Sequence, residues 1–154
     1  MRNAALLALV LATLLTGTAT ADSLWPSKNP GGSGGLLKAD QAFQLVAAER
    51  EGDNLKVSWN IAPGYYLYRK RLGFQVAQPQ GGHLEAPLLP HGEMVHDEHE
   101  GRAEIYHGGL QAVLHWPKGT AAPQQLRLSW QGCAEAGVCY PPQSRLVDVI
   151  DLSH

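Results

Sequence analysis

Beyond residue 38 the chain consists of short apolar runs separated by turn residues. In Leu55-Lys56-Val57-Ser58-Trp59-Asn60-Ile61 apolar and polar positions alternate without a break. A period of two places Leu55, Val57, Trp59 and Ile61 on one face and Lys56, Ser58 and Asn60 on the other, which predicts a half-buried strand. The preceding FQLVAAE predicts its hairpin partner, joined through Glu51-Gly52-Asp53-Asn54. After Ala62-Pro63-Gly64 comes YYLYRKRLGFQV, rich in aromatic and branched residues, as strands are, and then a break at Gln78 to His83. The segment EAPLLPHGEMVHDEHEG has two prolines and little periodicity and reads as an ordered loop. AEIYHG, LQAVLHW, QLRLSW and RLVDVIDL complete the strand candidates. About seven to nine short strands with no helical period predict an all-β domain, a sandwich of two sheets.

The first residues have a different character. Arg2, an apolar run from Ala4 to Leu15, and Ala19-Thr20-Ala21 have the anatomy of an export signal over residues 1–21. The apolar run is shorter than the roughly 18 to 20 residues of a spanning helix, so cleavage is expected in preference to anchoring. Residues 22–37, with two prolines and GGSGG, read as a flexible leader, and 38–154 as the folded domain. Loss of Arg2 with the signal would change the net charge from −2 to −3. That balance gives no reason to expect nucleic acid or an anionic membrane surface as a partner, and nothing after residue 21 is apolar for long enough to insert.

The chemistry-bearing stretch is WQGCAEAGVCYPPQS, which holds both cysteines, Cys133 and Cys139. Cys133 is expected to end one strand and Cys139 to begin the next, with Ala134–Val138 as a five-residue connection. A disulfide across that connection is sterically feasible, and an exported chain sits where one persists. So small a ring gains only about 2 kcal/mol by loop closure, against about 4.7 kcal/mol for a ring of about a hundred residues. Joining neighbouring strands is thus poor placement for a stabiliser, while a labile couple there disturbs little of the fold when it opens. A staple and a redox couple both remain open on these features. The spacing is not C-x-x-C and no histidine lies in the segment, which argues against a tight metal clip and against a thioredoxin-type helix N-terminus.

This block, together with GYYLYRK (Gly64–Lys70), HDEHEG (His96–Gly101) and AEIYHGGL (Ala103–Leu110), resembles the family of N-terminal periplasmic domains of the thiol:disulfide interchange protein DsbD. The resemblance covers about residues 38 to 152. It implies an immunoglobulin-like β-sandwich with the redox cysteines on a hairpin at one end. It implies a protein-disulfide reductase acting as part of a relay in the periplasm. The donor would be the thioredoxin-like C-terminal domain of DsbD. The acceptors would be thioredoxin-fold proteins: disulfide isomerases and the reductase of cytochrome c maturation. Cys139 would form the mixed disulfide and Cys133 would resolve it. No cofactor is required, because the electrons travel in the sulfurs.

The resemblance also implies neighbours for the pair. Tyr66 and Tyr68 match tyrosines that pack near the disulfide, while Tyr65 would face the other way. Asp97 and Glu98 match acidic residues whose charge would disfavour a thiolate. His99 stands where the family places a shielding aromatic, usually phenylalanine, and its imidazole is polar and titratable. Pro141 and Pro142 would keep the strand edge beside Cys139 open to a partner. The rival reading is a non-catalytic sandwich that binds partners or metal, with a structural disulfide. Its metal variant would draw on His91, His96, His99 and His107 with Asp97, Glu98 and Glu100.

Overall fold

The structure is a computed structural model and describes residues 35–153. The expected export signal, and the expected leader as far as residue 34, lie outside the described residues. A single helical turn, α1 (Ala39–Ala42), leads into β1 (Phe43–Glu51), β2 (Asn54–Ile61), β3 (Tyr65–Tyr68), β4 (Gly73–Gln78), β5 (Glu93–Asp97) and β6 (Gly101–Tyr106). There follow β7 (Gly109–Leu114), β8 (Gln125–Trp130), β9 (Gly132–Ala134), β10 (Val138–Cys139), β11 (Gln143–Asp148) and β12 (Ile150–Asp151).

One sheet has the order β12-β1-β2-β7. Its inner face carries Leu55, Val57, Trp59, Leu110, Ala112 and Leu114, each at most 3% exposed. Across the core stand Leu126, Leu128 and Trp130 of the sheet β11-β8-β4. Trp59 meets Trp130 and Phe74 edge-on, with ring centroids 5.9 and 6.0 Å apart. Edge-to-face contact suits the aromatic quadrupole, and burial of rings this large supplies much of the hydrophobic stabilisation. The two sheets therefore form the sandwich that the alternating strands predict.

Past the sandwich, β8 runs through Gln131 into β9, and β4 is preceded by β3, so two strands of the sheet β11-β8-β4 continue into a third sheet of order β10-β9-β3-β6-β5. YYLYRKRLGFQV accordingly contributes a strand to each of them. A 3-10 turn at Arg69–Arg71 divides it between the two sheets. Arg69 Nη1 fixes this turn by donating to Pro90 O at 2.8 Å and to Tyr106 Oη at 2.8 Å.

The expected loop 85–101 also needs correction, because it contains β5, paired to β6 from Glu93↔Ile105 to Asp97↔Gly101. On β5 the inward positions are Val95 and Asp97 and the outward ones Met94 and His96. An acid facing in and a methionine facing out invert the hydropathy signal that marks a strand. The cysteine connection is shorter than expected as well. Ala134 pairs with Val138, leaving only Glu135-Ala136-Gly137 as the turn. Gly137 takes a positive φ of 89°, the left-handed position that a three-residue hairpin loop requires.

Candidate redox site

The strand period of two sorts the side chains of the five-stranded sheet between two environments. On β3, Tyr65 and Leu67 join the main core, while Tyr66 and Tyr68 face the opposite side with Cys133, Cys139, Ala103, Ile105 and Val95. On β9, Ala134 faces the core and Cys133 the redox side. Gly132 permits this close layering. A Cβ there would stand 2.2 Å from Tyr66 O and 2.7 Å from the Phe43 ring, so β9 approaches β3 and Phe43 only because position 132 has no side chain.

Cys133 and Cys139 are directly opposed, with Cα atoms 3.9 Å apart, and are joined as a disulfide. The N–H of Tyr140 donates to Gly132 O at 3.0 Å, making that pair the hydrogen-bonded one. The cysteines next to it thus occupy the closer, non-hydrogen-bonded position of an antiparallel ladder, where side chains meet. The two residues are unequally accessible. Cys133 is 0% exposed on the inner strand β9, whereas Cys139 is partly exposed on β10, the outer strand of the sheet.

Behind the sulfurs lie two tyrosines and a carboxylate in succession. The Tyr68 hydroxyl donates to Cys133 Sγ at 3.3 Å and stands 4.0 Å from Cys139 Sγ. The Tyr66 ring meets the Tyr68 ring edge-on at 5.4 Å, and its hydroxyl donates to Asp97 Oδ2 at 2.7 Å. Asp97 Oδ1 accepts the backbone N–H groups of His99 at 2.8 Å and Glu100 at 2.9 Å, closing the β5–β6 turn. Burial, before all else, raises the Tyr68 phenol far above its ordinary value, and the neighbouring Tyr66 and Asp97 add to the effect. Tyr68 is therefore a fixed proton donor at any physiological pH. At Asp97 burial acts to raise the carboxyl, but the neighbouring Tyr66 and Tyr68 hydroxyls and the backbone N–H groups of Glu100 and His99 outweigh it and bring the pKa to about 2. A permanent negative charge is thus held two tyrosines away from the disulfide.

The two acidic neighbours proposed from the sequence differ sharply in placement. Asp97 is 9% exposed and built into the chain just described, whereas Glu98 is exposed. His99 is exposed too and, with Glu98, lines the rim of a cleft of about 570 Å³ beside Tyr66 and the 135–137 turn. Glu100, next along, pairs with Lys70 and Arg71 and ties this turn to the segment after β3.

Sequence reasoning passed over several residues of the site. Ala103 and Ile105 floor the redox cluster from one face of β6, which their shared parity on an alternating strand suggests. His107, named from the sequence only as a possible metal ligand, meets Glu135 across the cleft, Nδ1 to Oε1 3.5 Å, through a fold contact that nothing local announces. Among the described residues no group of three or more His, Cys, Asp or Glu side chains is gathered where it would hold a metal ion.

Fold and site together define an immunoglobulin-like sandwich that carries a disulfide at the mouth of a short hairpin, one sulfur sealed and the other at the edge. The chain belongs to the family described as thiol:disulfide interchange protein DsbD, N-terminal, whose model matches residues 33–151. It is 42% identical over 114 residues to thiol:disulfide interchange protein DsbD 2 of Pseudomonas aeruginosa, covering 74% of this chain and 18% of that protein. With DsbD 1 of the same organism it is 36% identical over 152 residues, covering 97% of this chain and 25% of that protein. It thus spans about a fifth to a quarter of the length of these relatives.

Two solved structures resemble it closely. One is the Neisseria meningitidis DsbD N-terminal domain in the reduced form, at 31% identity and TM-score 0.63, covering 75% of this chain and 90% of that one. The other is the complex between the DsbD N-terminal and PilB N-terminal domains from the same organism. It has 34% identity and a TM-score of 0.63, and covers 73% of this chain and 86% of that one. Among the described residues no helix is long and apolar enough to cross a membrane.

Proposed function

We propose that the domain is a protein-disulfide reductase module, passing electrons by reversible opening of Cys133–Cys139, with Cys139 as the sulfur attacked. The observation that carries this reading is the unequal exposure of the pair: 0% for Cys133 against a partly exposed Cys139 on the outer strand. Thiol–disulfide exchange needs an approach to one sulfur from the side opposite the leaving one. A donor thiolate bonds to Cys139 Sγ, the S–S bond breaks, and Cys133 leaves with the electron pair.

Tyr68 stands where that charge appears. Its hydroxyl already donates to Cys133 Sγ, so the departing thiolate is met by a hydrogen bond in a buried site, where such a bond is worth most. Cys133 then takes a proton from solvent or from the donor. The donor's second thiol attacks its own sulfur in the mixed disulfide and releases Cys139, leaving a dithiol here and a disulfide there. Two electrons and two protons have moved. Delivery to an acceptor is the reverse sequence: Cys139 attacks, and Cys133 closes the ring and expels the reduced partner.

Asp97 gives the couple its restraint. A fixed anion near a thiol raises the thiol pKa, keeping the reduced pair mostly protonated and slow toward stray oxidants. In this reading residues 1–21 direct export and the domain works in the periplasm. The electrons come from the thioredoxin-like C-terminal domain of DsbD and pass to disulfide isomerases and to the thioredoxin-like reductase of cytochrome c maturation. Glu98 and His99, on the cleft rim, face the arriving partner. The Neisseria complex with the PilB N-terminal domain supports docking of a second protein on a domain of this kind.

The test is a trap. Cys133→Ala leaves Cys139 unable to be resolved, and in periplasmic extracts it should accumulate mixed disulfides with thioredoxin-fold proteins, while Cys139→Ala should accumulate none. Equal trapping by the two variants, or no adducts with either, overturns the assignment.

A further inference from the structure

Cys139 lies on a strand of two residues at the edge of its sheet, so little of the ladder holds it once the disulfide is open. The next residue is held at every polar atom. Tyr140 donates its backbone N–H to Gly132 O at 3.0 Å, and its carbonyl accepts from Gln131 Nε2 at 3.0 Å. Its hydroxyl donates to Leu37 O at 2.5 Å. The N–H of that same Leu37 donates to Tyr65 Oη at 2.8 Å, so two phenols grip one peptide residue of the segment that precedes α1. The Tyr140 ring packs edge-on against Phe43 at 5.4 Å and tilted against Tyr65 at 6.1 Å. Phe43 and Tyr65 are both in the main core. None of these contacts involves a sulfur, so all of them are available in the dithiol form as well as in the disulfide.

We infer that Tyr140 is a positioning residue for the redox couple: clamped between the Leu37 strap and the core, it keeps Cys139 opposite Cys133 when the disulfide is open. The inference rests on the exchange reading above and adds to it the element that makes ring closure favourable. Closing a disulfide is an intramolecular reaction whose equilibrium constant scales with how often the two thiols are already in place. With the clamp intact, the reduced hairpin keeps its register and little conformational freedom is lost on closure. Without it, the reduced Val138–Tyr140 segment gains freedom that the oxidised form, held by its own bond, does not. The reduced state is then favoured, ring closure weakens, and mixed disulfides on Cys139 are resolved more slowly. Burial, and then the neighbouring Tyr65 phenol, push the Tyr140 phenol up to about 12, so the strap's donor is protonated throughout the range in which the couple works.

The experiment equilibrates the purified chain with glutathione redox buffers and compares wild type with Tyr140→Phe and Gln131→Met, each of which removes one strand of the clamp and keeps the core filled. Fixing one residue's backbone corresponds to about a tenfold factor. The ring-closure constant should therefore fall by about tenfold, a shift of about 30 mV toward a more oxidising couple. Trapped Cys139 adducts should resolve correspondingly more slowly. A purely structural role would lower the melting temperatures of the oxidised and reduced forms together and leave the ring-closure constant unchanged. That outcome, or constants within about twofold of wild type in both variants, overturns the inference. A wild-type couple that does not equilibrate with glutathione at all would instead overturn the exchange reading on which it rests.

Discussion

Replacing Asp97 by asparagine isolates the charge at the end of the tyrosine chain. The amide keeps the size of the side chain, and its oxygen can still accept the turn N–H groups of His99 and Glu100. The anionic acceptor of the Tyr66 hydroxyl, 2.7 Å away, is lost. The carboxyl is brought from an ordinary 3.8 to about 2 by these bonds, a depression worth about 2 kcal/mol of folding stability. The group is 9% exposed, so solvent screening reduces that figure little.

For a depressed carboxyl the contribution is fully present above the unfolded value and is lost as pH falls through the folded one. Urea titrations of the oxidised chain, read by its buried Trp59 and Trp130, should show wild type losing this increment between about pH 4 and about pH 2. The variant should be about 2 kcal/mol less stable at neutral pH and lack that part of the decline. Other carboxylates titrate in the same range, so the difference between the two curves is the quantity that matters. In the reduced form the variant should also alkylate faster at Cys139 near neutral pH, because removing a nearby anion favours the thiolate. Parallel stability curves down to about pH 2, with unchanged alkylation, would refute both the coupling through Tyr66 and the restraining role of the charge.

Two further outcomes follow from the geometry. Gly132→Ala sets a Cβ 2.2 Å from Tyr66 O, against backbone that cannot swing away, and should cost about 1 to 3 kcal/mol by chemical denaturation in both redox states. His99→Phe should slow reduction by glutathione; equal rates for the two proteins would dispose of any shielding by this turn.

Much of the domain was legible from residue order alone, and for a local reason. A strand repeats every two residues, so Leu55–Ile61 and Gln125–Trp130 announce both their conformation and their buried face without reference to anything distant. The cysteine block was legible in the same way, since two sulfurs six positions apart around a glycine turn have few other places to go. Beyond these, the period failed where the environment reversed its usual sense. On β5 the inward positions include an acid and the outward ones a methionine, because the inner side holds tyrosine hydroxyls and sulfurs, not an oily core.

What the tertiary structure alone decided is how differently two equivalent-looking groups are surrounded. Cys133 and Cys139 are chemically identical in the sequence, yet one is sealed by an inner strand and the other stands at an edge, because strand order is set by pairings with segments about 65 residues away. Asp97 and Glu98 are adjacent acids, and a half-turn of strand makes one a buried hydrogen-bond acceptor and the other a solvated rim charge. The grip of Tyr65 and Tyr140 on Leu37 joins positions up to 103 residues apart. Chain order determines what each stretch prefers to be, whereas exposure, charge state and reach depend on what packs against it from elsewhere, and packing is a property of the whole fold.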